Sequence, residues 1–100
     1  MRAVEFRRLL DYDNALRVMF ESERGQILRF VVQLEYQFAE DGKWTPVVRY
    51  DTAHGYAHRD IMHPTEKEEK TEMSVQDYND ALTIAMDDVV EKRYDYRRRY

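Results

Sequence analysis

The three histidines of this 100-residue chain all lie in one short window, residues 47–63. Histidine changes its charge near neutral pH and also binds metal ions, so a cluster of histidines indicates proton transfer or metal coordination. The window also contains carboxylates and arginines, which can orient a histidine or hold a phosphate. The residues that we single out as candidate catalytic groups are Arg49, Asp51, His54, His58 and Asp60.

Metal binding requires the histidines to approach one another, and their spacing argues against this. His54 and His58 are four residues apart, as in a helical ligand pair, but the surrounding residues are typical of a strand and a turn. On a straight strand they would be about 13 Å apart, at about 3.3 Å per residue. A metal site would require the turn at Gly55 to fold His54 back towards His58, with Asp51 or Asp60 as a further ligand. The sequence therefore predicts no metal site and no cofactor.

Proton transfer depends on how the two strands flanking Gly55 pair, and two loop lengths are open. With a loop over residues 53–55, Tyr50 lies opposite His58 and Val48 opposite Asp60. His58 and Asp60 then share one face as neighbours two residues apart. A carboxylate beside an imidazole orients the ring for general acid–base catalysis.

The second alternative is a loop over residues 52–55. Arg49 then lies opposite His58, and Asp51 lies opposite Tyr56. In this arrangement Arg49 could hold a phosphate while His58 moves a proton, which are the two roles needed for metal-free RNA cleavage. The sequence does not discriminate between the two loops, because the apolar residues of the second strand alternate equally well in either register.

The histidine window also resembles segments of known proteins. The pattern Val48-Arg49-Tyr50-Asp51-x-Ala53-His54-Gly55-x-x-His58-Arg59 is similar to one found in small archaeal and bacterial proteins. It further resembles the Tyr-Asp-x-Ala-x-His segment of TumE-type toxins from toxin–antitoxin pairs. The similarity covers about residues 47 to 64, less than a fifth of the chain. It implies a small RNA-acting or growth-inhibiting protein with an antitoxin-like protein partner.

Composition indicates one folded domain over residues 1–100. Hydrophobic residues make up 43% of the chain and aromatic residues 13%, which is enough for a packed core. Charged residues make up 36%, which suits a very soluble surface and is also common in proteins from hot environments. The net charge of −4 argues mildly against a general nucleic-acid surface. Without cysteines or a long apolar run, we expect a cytoplasmic protein with no membrane contact.

The histidines must be positioned by a sheet, and the chain predicts one of about five strands. Residues 27–38 alternate apolar and polar side chains over twelve positions, the pattern of a strand with one face on a core. The fold class that we predict is α+β, an antiparallel meander packed by one C-terminal helix over about residues 75–97. The strands are expected at roughly residues 3–10, 15–21, 27–38, 44–51 and 56–62.

Loop lengths set which residues face each other across this sheet. A three-residue loop ending at Gly25 would place Phe20 opposite Leu28, so that their apolar faces agree. A three-residue loop over Glu40-Asp41-Gly42 would place Phe38 opposite Trp44, Leu34 opposite Val48 and Val32 opposite Tyr50. The polar segment from Pro64 to Lys70 is expected to be a solvated loop, with Glu72-Met73 as a short extension of the sheet.

The helix is expected to begin after Ser74 as its N-cap and to bury one stripe. The residues of that stripe are Val75, Tyr78, Ala81, Leu82, Ala85, Met86 and Val89. The chain then ends in a tail that interleaves basic and aromatic residues, so that arginines could neutralise phosphates and tyrosines could stack on bases. The tail residues that we single out for RNA or partner binding are Arg93, Tyr96, Arg97, Arg98 and Arg99.

Three hypotheses therefore follow from the sequence. The first is a small toxin-like enzyme that acts on RNA, with His58 as acid or base and Arg49 on phosphate. The second is a non-catalytic module that binds RNA or a protein partner through the sheet or the tail. The third is a homodimeric structural domain whose contact is formed around Val31 on the outer face of the sheet.

Overall fold

A computed structural model describes residues 1–39 and 42–100 and contains one antiparallel sheet and two C-terminal helices. The six strands lie side by side in chain order, so the predicted α+β meander is confirmed. The elements are β1 (Arg2–Asp11), β2 (Asn14–Glu23), β3 (Gln26–Gln37), β4 (Trp44–Asp51), β5 (His58–Ile61), β6 (Glu69–Glu72), α1 (Tyr78–Glu91) and α2 (Arg93–Arg99). None of the described helices is long and apolar enough to cross a membrane.

The number of strands and helices differs from the prediction of five and one. The sixth strand, β6, lies partly in the segment predicted to be a solvated loop and pairs with β5. All four of its residues are exposed, so it has no apolar alternation by which a sequence pattern could reveal it. Its backbone supplies the partner that β5 would otherwise lack on that side.

The helical region is divided at Lys92, whose backbone (φ −105°, ψ 18°) leaves the helical range. This break lets α2 turn so that Tyr96 packs back into the core. The helix also begins later than predicted, because the N-cap is Asp77 and not Ser74. The Asp77 side chain accepts a hydrogen bond of 2.9 Å from the backbone N–H of Asp80, which satisfies one of the unpaired donors of the first turn.

The core lies between one face of the sheet and the predicted stripe of α1. Ala81, Ala85 and Val89 are buried against it, which confirms the direction of the amphipathic pattern. The buried apolar residues of the strands include Leu16, Val18, Phe30, Val32, Leu34, Val48 and Ile61. The opposite face of the sheet, which we call the outer face, carries mostly polar side chains.

The β2–β3 hairpin has a shorter turn than predicted. Glu23 pairs with Gln26, so the turn is the two residues Arg24 and Gly25, and both have positive φ (52° and 79°). Two such residues make a primed turn, which matches the twist of antiparallel strands. A bulge beyond Glu21 then shifts the register, so that Phe20 lies opposite Phe30 and not opposite Leu28.

The predicted register of β3 with β4 is confirmed at the centre of the two strands and is wrong at their end. Leu34 lies opposite Val48, and Val32 lies opposite Tyr50, as predicted. Trp44 lies opposite Gln37 and not opposite Phe38, because a bulge at Val47 inserts one extra residue into β4. The predicted three-residue loop over residues 40–42 falls largely outside the described residues.

Candidate functional site

The connection between β4 and β5 is longer than either predicted loop, since six residues separate Asp51 from His58. Two contacts hold it in place. The Thr52 hydroxyl accepts a hydrogen bond of 3.1 Å from the backbone N–H of Phe30, and both groups are buried. At the other end the carbonyl of Ala57 accepts a hydrogen bond of 2.9 Å from Met73. Thr52 and Ala57 are thus held by Phe30 and Met73 and do not pair with each other as in a tight hairpin, which lengthens the connection.

The resulting register places Asp51 opposite His58, and Arg49 opposite Asp60. All four residues therefore share the outer face, where the 52–55 alternative also placed them, although their exact partners differ from that prediction. The 53–55 alternative is wrong, because it put Tyr50 beside His58. Tyr50 instead points into the core on the other side of the sheet.

The Asp51–His58–Asp60 cluster is compact and largely buried. His58 Nε2 lies 2.9 Å from Asp51 Oδ1 and 3.4 Å from Asp60 Oδ2. The side chains are 1% exposed for His58, 6% for Asp60 and 13% for Asp51, so only Asp51 has appreciable contact with solvent. One ligand atom from each residue lies within 4.8 Å of the other two, a spacing at which the three could hold a metal ion.

The surroundings of the cluster fix the orientation of the imidazole. His58 Nδ1 lies 3.3 Å from the carbonyl oxygen of Tyr56, and the Tyr56 ring covers the imidazole with 5.2 Å between centroids. On the other side, Asp60 Oδ1 lies 3.5 Å from Lys70 Nζ. Asp51 Oδ1 also accepts a hydrogen bond of 3.0 Å from the backbone N–H of Ala53.

His54 does not belong to this cluster, although it was predicted as a candidate. It lies exposed in the short 3₁₀ turn Ala53–Gly55, and its ring centroid is 6.2 Å from that of His58. Its backbone has a positive φ of 71°, a conformation in which histidine is one of the better tolerated residues. His63 lies beyond β5, where its Nε2 is 3.6 Å from Glu66.

Arg49 lies on the same outer face, and its hydrogen bonds lead away from His58 towards β3. Its Nε donates a hydrogen bond of 2.9 Å to Gln33, whose amide in turn donates to Glu35 at 3.1 Å. Glu35 is buried and also accepts from Arg7 at 2.7 Å. Burial raises the pKa of Glu35, but its hydrogen bonds from Arg7 and Gln33 outweigh this and lower the pKa overall.

A second buried network, on the helix side of the sheet, was missed by the sequence analysis. Asp88 of α1 accepts hydrogen bonds from the hydroxyls of Tyr50, at 2.7 Å, and of Tyr96. Burial alone would raise the pKa of Asp88, but the bonds from Tyr96, Tyr50 and Lys92 lower it. Burial and the hydrogen bond to Asp88 raise the pKa of Tyr50. Asp88 could have been found from its position three residues after Ala85, on the buried stripe.

The tail residues predicted to bind RNA all have partners within the chain. Arg93 Nε donates to Asp11 at 2.9 Å, and this bond, with further ones from Asn14 and Tyr94, lowers the pKa of Asp11 to about 2. The guanidinium of Arg97 lies over the ring of Phe38, 5.3 Å from its centroid. The remaining contacts are those of Tyr96 with Asp88, Arg98 with Asp95, and Arg99 with Glu69 at 3.3 Å.

Three of these tail residues nevertheless line a cleft of about 440 Å³ between β5 and α2. We call this the cationic cleft, and it is lined by Arg59, Lys92, Asp95, Tyr96, Arg98 and Arg99. Four of the six are cations and one is a carboxylate, in a chain whose net charge is −4. Arg59 and Lys92 were not predicted as members of a site.

The fold and these sites define a small α+β domain with a polar, partly buried sheet face and a cationic cleft beside its last helix. The chain belongs to the family described as a domain of unknown function (DUF7718), whose model matches residues 1–100. It matches no curated protein and no solved structure.

Proposed function

We propose that this protein is a non-catalytic module that binds RNA, with the cationic cleft holding phosphate groups of a single strand. One observation carries the proposal: four cationic side chains converge on one cleft in a chain that is acidic overall. Such a local concentration of positive charge against the global balance favours a polyanionic ligand, because phosphate contacts supply most of the affinity for nucleic acid.

The ion pairs that occupy two of these arginines are weak enough to exchange for phosphates. The side chains of Arg98 and its partner Asp95 are 69% and 57% exposed, and those of Arg99 and Glu69 are 48% and 69% exposed. Exposed pairs of this kind contribute about 0–1 kcal/mol. A phosphate can therefore replace the carboxylate partner of either arginine at little cost.

Exposed aromatic rings on α2 and at the end of β3 favour RNA over a small anion. Tyr94 on α2 is 51% exposed, and Phe38 is 42% exposed and stacks on Tyr100 with 5.2 Å between centroids. Bases of a single strand stack on such rings, while the 2′-hydroxyls offer further hydrogen bonds.

The test is fluorescence anisotropy of a labelled single-stranded RNA at several salt concentrations. Arg98→Ala/Arg99→Ala should weaken binding about tenfold or more. It should also reduce the slope of log K against log salt by about 1.4, at about 0.7 per phosphate contact. The matched control is Arg2→Ala/Arg8→Ala, which removes the same charge from exposed positions of β1. Equal weakening by both double variants would show non-specific attraction and contradict the proposal.

A toxin-like enzyme acting on RNA is the second candidate, and one observation favours it. Arg49, Asp51, His58 and Asp60 share one face, as the metal-free mechanism requires. RNA cleavage and growth inhibition that disappear in His58→Ala, in a protein that still folds, would support this candidate. RNA binding that survives the same change without any cleavage would favour the non-catalytic module.

A further inference from the structure

The Asp51–His58–Asp60 cluster brings two carboxylates to one nitrogen of a buried imidazole. His58 Nδ1 faces the carbonyl oxygen of Tyr56, a group that only accepts hydrogen bonds. The other ring nitrogen, Nε2, faces Asp51 Oδ1 and Asp60 Oδ2. Two carboxylates that converge in a buried place repel each other unless a cation lies between them. That cation is either the imidazole itself, with a proton on Nε2, or a metal ion held by Nε2 and both carboxylates.

A second observation concerns the other carboxylate oxygen of Asp60, on the side of Lys70. Asp60 is 4% exposed, and its Oδ1 accepts no hydrogen bond from any of the described residues. Lys70 Nζ lies 3.5 Å from this oxygen, but its side chain is 40% exposed and the contact lacks hydrogen-bond geometry. A buried carboxylate oxygen in this condition is costly unless a ligand that is not part of the chain satisfies the group.

The two distances from His58 Nε2 match those within a metal coordination shell. Ligands about 2.1 Å from an ion lie about 3.0 Å apart at a right angle and about 3.4 Å apart at the tetrahedral angle. The two measured distances from His58 Nε2 are 2.9 Å and 3.4 Å. The contact between His58 Nδ1 and the Tyr56 carbonyl is also the kind of outer contact that orients a metal-bound histidine.

We propose that Asp51, His58 and Asp60 bind a divalent transition-metal ion, with Zn²⁺ and Mn²⁺ as the favoured ions. One imidazole and two carboxylates suit these ions better than Mg²⁺, which prefers oxygen ligands alone. Three protein ligands leave coordination positions for water, which would enter on the side of Asp51, the most exposed member. The site lies on the outer face and shares no residue with the cationic cleft, so it does not depend on the proposed RNA binding.

The experiment is a titration of the purified protein with Zn²⁺, Mn²⁺ and Mg²⁺ by isothermal titration calorimetry. We expect one Zn²⁺ or Mn²⁺ per chain, with Mg²⁺ bound at least about tenfold more weakly. Asp51→Asn and Asp60→Asn keep the shape of the ligands, and each should weaken binding by about a hundredfold. The matched control His63→Gln removes a half-buried histidine beside a carboxylate outside the cluster and should leave the affinity unchanged. Affinity lost in the control and retained in the Asn variants would overturn the proposal.

A second measurement uses the wild-type chain alone, so that it does not depend on whether the variants fold. Substoichiometric Mn²⁺ should broaden the NMR signals of β4 and β5 around residues 51, 58 and 60 before any others. Broadening that begins instead at exposed carboxylates would overturn the site. The absence of binding, together with a proton on His58 Nε2 in ¹⁵N spectra at neutral pH, would also overturn it, since a proton would then occupy the place of the ion.

Discussion

Two clusters of buried ionisable side chains lie on opposite sides of the same sheet, and they are built in opposite ways. On the helix side, Asp88 is an acceptor surrounded by donors, with two tyrosine hydroxyls and Lys92 Nζ at 3.2 Å. On the outer face, His58 Nε2 is surrounded by carboxylate oxygens. Both places are buried, so burial alone does not distinguish them.

The match between donors and acceptors therefore indicates whether a buried polar cluster has a structural role or binds a ligand. A satisfied network such as that of Asp88 holds α1 and α2 on the sheet and needs nothing further. An arrangement of acceptors without matching donors costs free energy in the folded chain, and it is retained where a ligand removes that cost.

The largest effect should come from Asp88→Ala. This change leaves the buried hydroxyls of Tyr50 and Tyr96 without their acceptor and should lower the free energy of unfolding by about 3 kcal/mol. Urea denaturation measures the change, and the exposed neighbour Asp87→Ala controls for helix propensity. A loss of less than about 1 kcal/mol relative to Asp87→Ala would show that Asp88 is not a structural centre.

A smaller loss of stability is expected for Tyr50→Phe. The substitution removes one hydrogen bond to a charged acceptor and keeps the ring in the core, so unfolding should become easier by about 1.5 kcal/mol. Tyr12→Phe, at a position that is 90% exposed, is the matched control and should have almost no effect. Equal effects of the two changes in the same denaturation assay would refute the contribution of this hydroxyl.

Removing a carboxylate from the outer-face cluster should change the free energy of unfolding in the opposite direction. In protein freed of metal by a chelator, Asp60→Asn removes one of the two carboxylate charges that face His58 Nε2. Its effect on unfolding should lie between zero and a gain of about 1 kcal/mol. Zn²⁺ at a concentration that just saturates the wild type should raise its melting temperature clearly more than that of Asp60→Asn. A clear destabilisation of the metal-free variant would mean that the carboxylate stabilises a protonated imidazole, and the two clusters would then be alike.

The smallest effect concerns the stability of the fold at low pH. The pKa of Asp11 is about 2 in the folded chain and 3.8 ordinarily, so ionised Asp11 stabilises the fold above about pH 4. This contribution is lost as the pH falls from about 4 to about 2, because the unfolded chain takes up the proton first. Asp11→Asn should therefore show a shallower fall in stability over that range by urea denaturation. An unchanged slope would mean that the bond to Arg93 is not maintained in solution.

Much of the sheet could be predicted because alternation over many residues fixes which face is buried. The long strand β3 and its pairing with β4 at Leu34 and Val48 followed from this pattern. Bulges and turn lengths could not be predicted, because one extra residue changes the register without changing the alternation on either side. The bulge at Val47 and the primed turn at Arg24 and Gly25 are of this kind.

The candidate site was predicted in composition but not in geometry. The window contained Asp51, His58 and Asp60, yet the contacts of Thr52 and Ala57 that set its register come from β3 and Met73, which are distant in sequence. The cationic cleft was predicted only through its tail residues. Arg59 was assigned no role, because nothing local shows that α2 packs beside β5.

The order of the strands has a consequence for how the chain folds during synthesis. Each strand pairs with its sequence neighbour, so every hairpin can form as soon as its second strand has left the ribosome. The apolar face of the sheet is buried later, because α1, which packs on it, is synthesised after all six strands. The hydrogen bond from the backbone N–H of Ile27 to the Asn79 side chain, for example, joins residues that are 52 positions apart. A nascent chain that stops before α1 would therefore expose Phe30, Val32 and Leu34 to chaperones and to other unfinished chains.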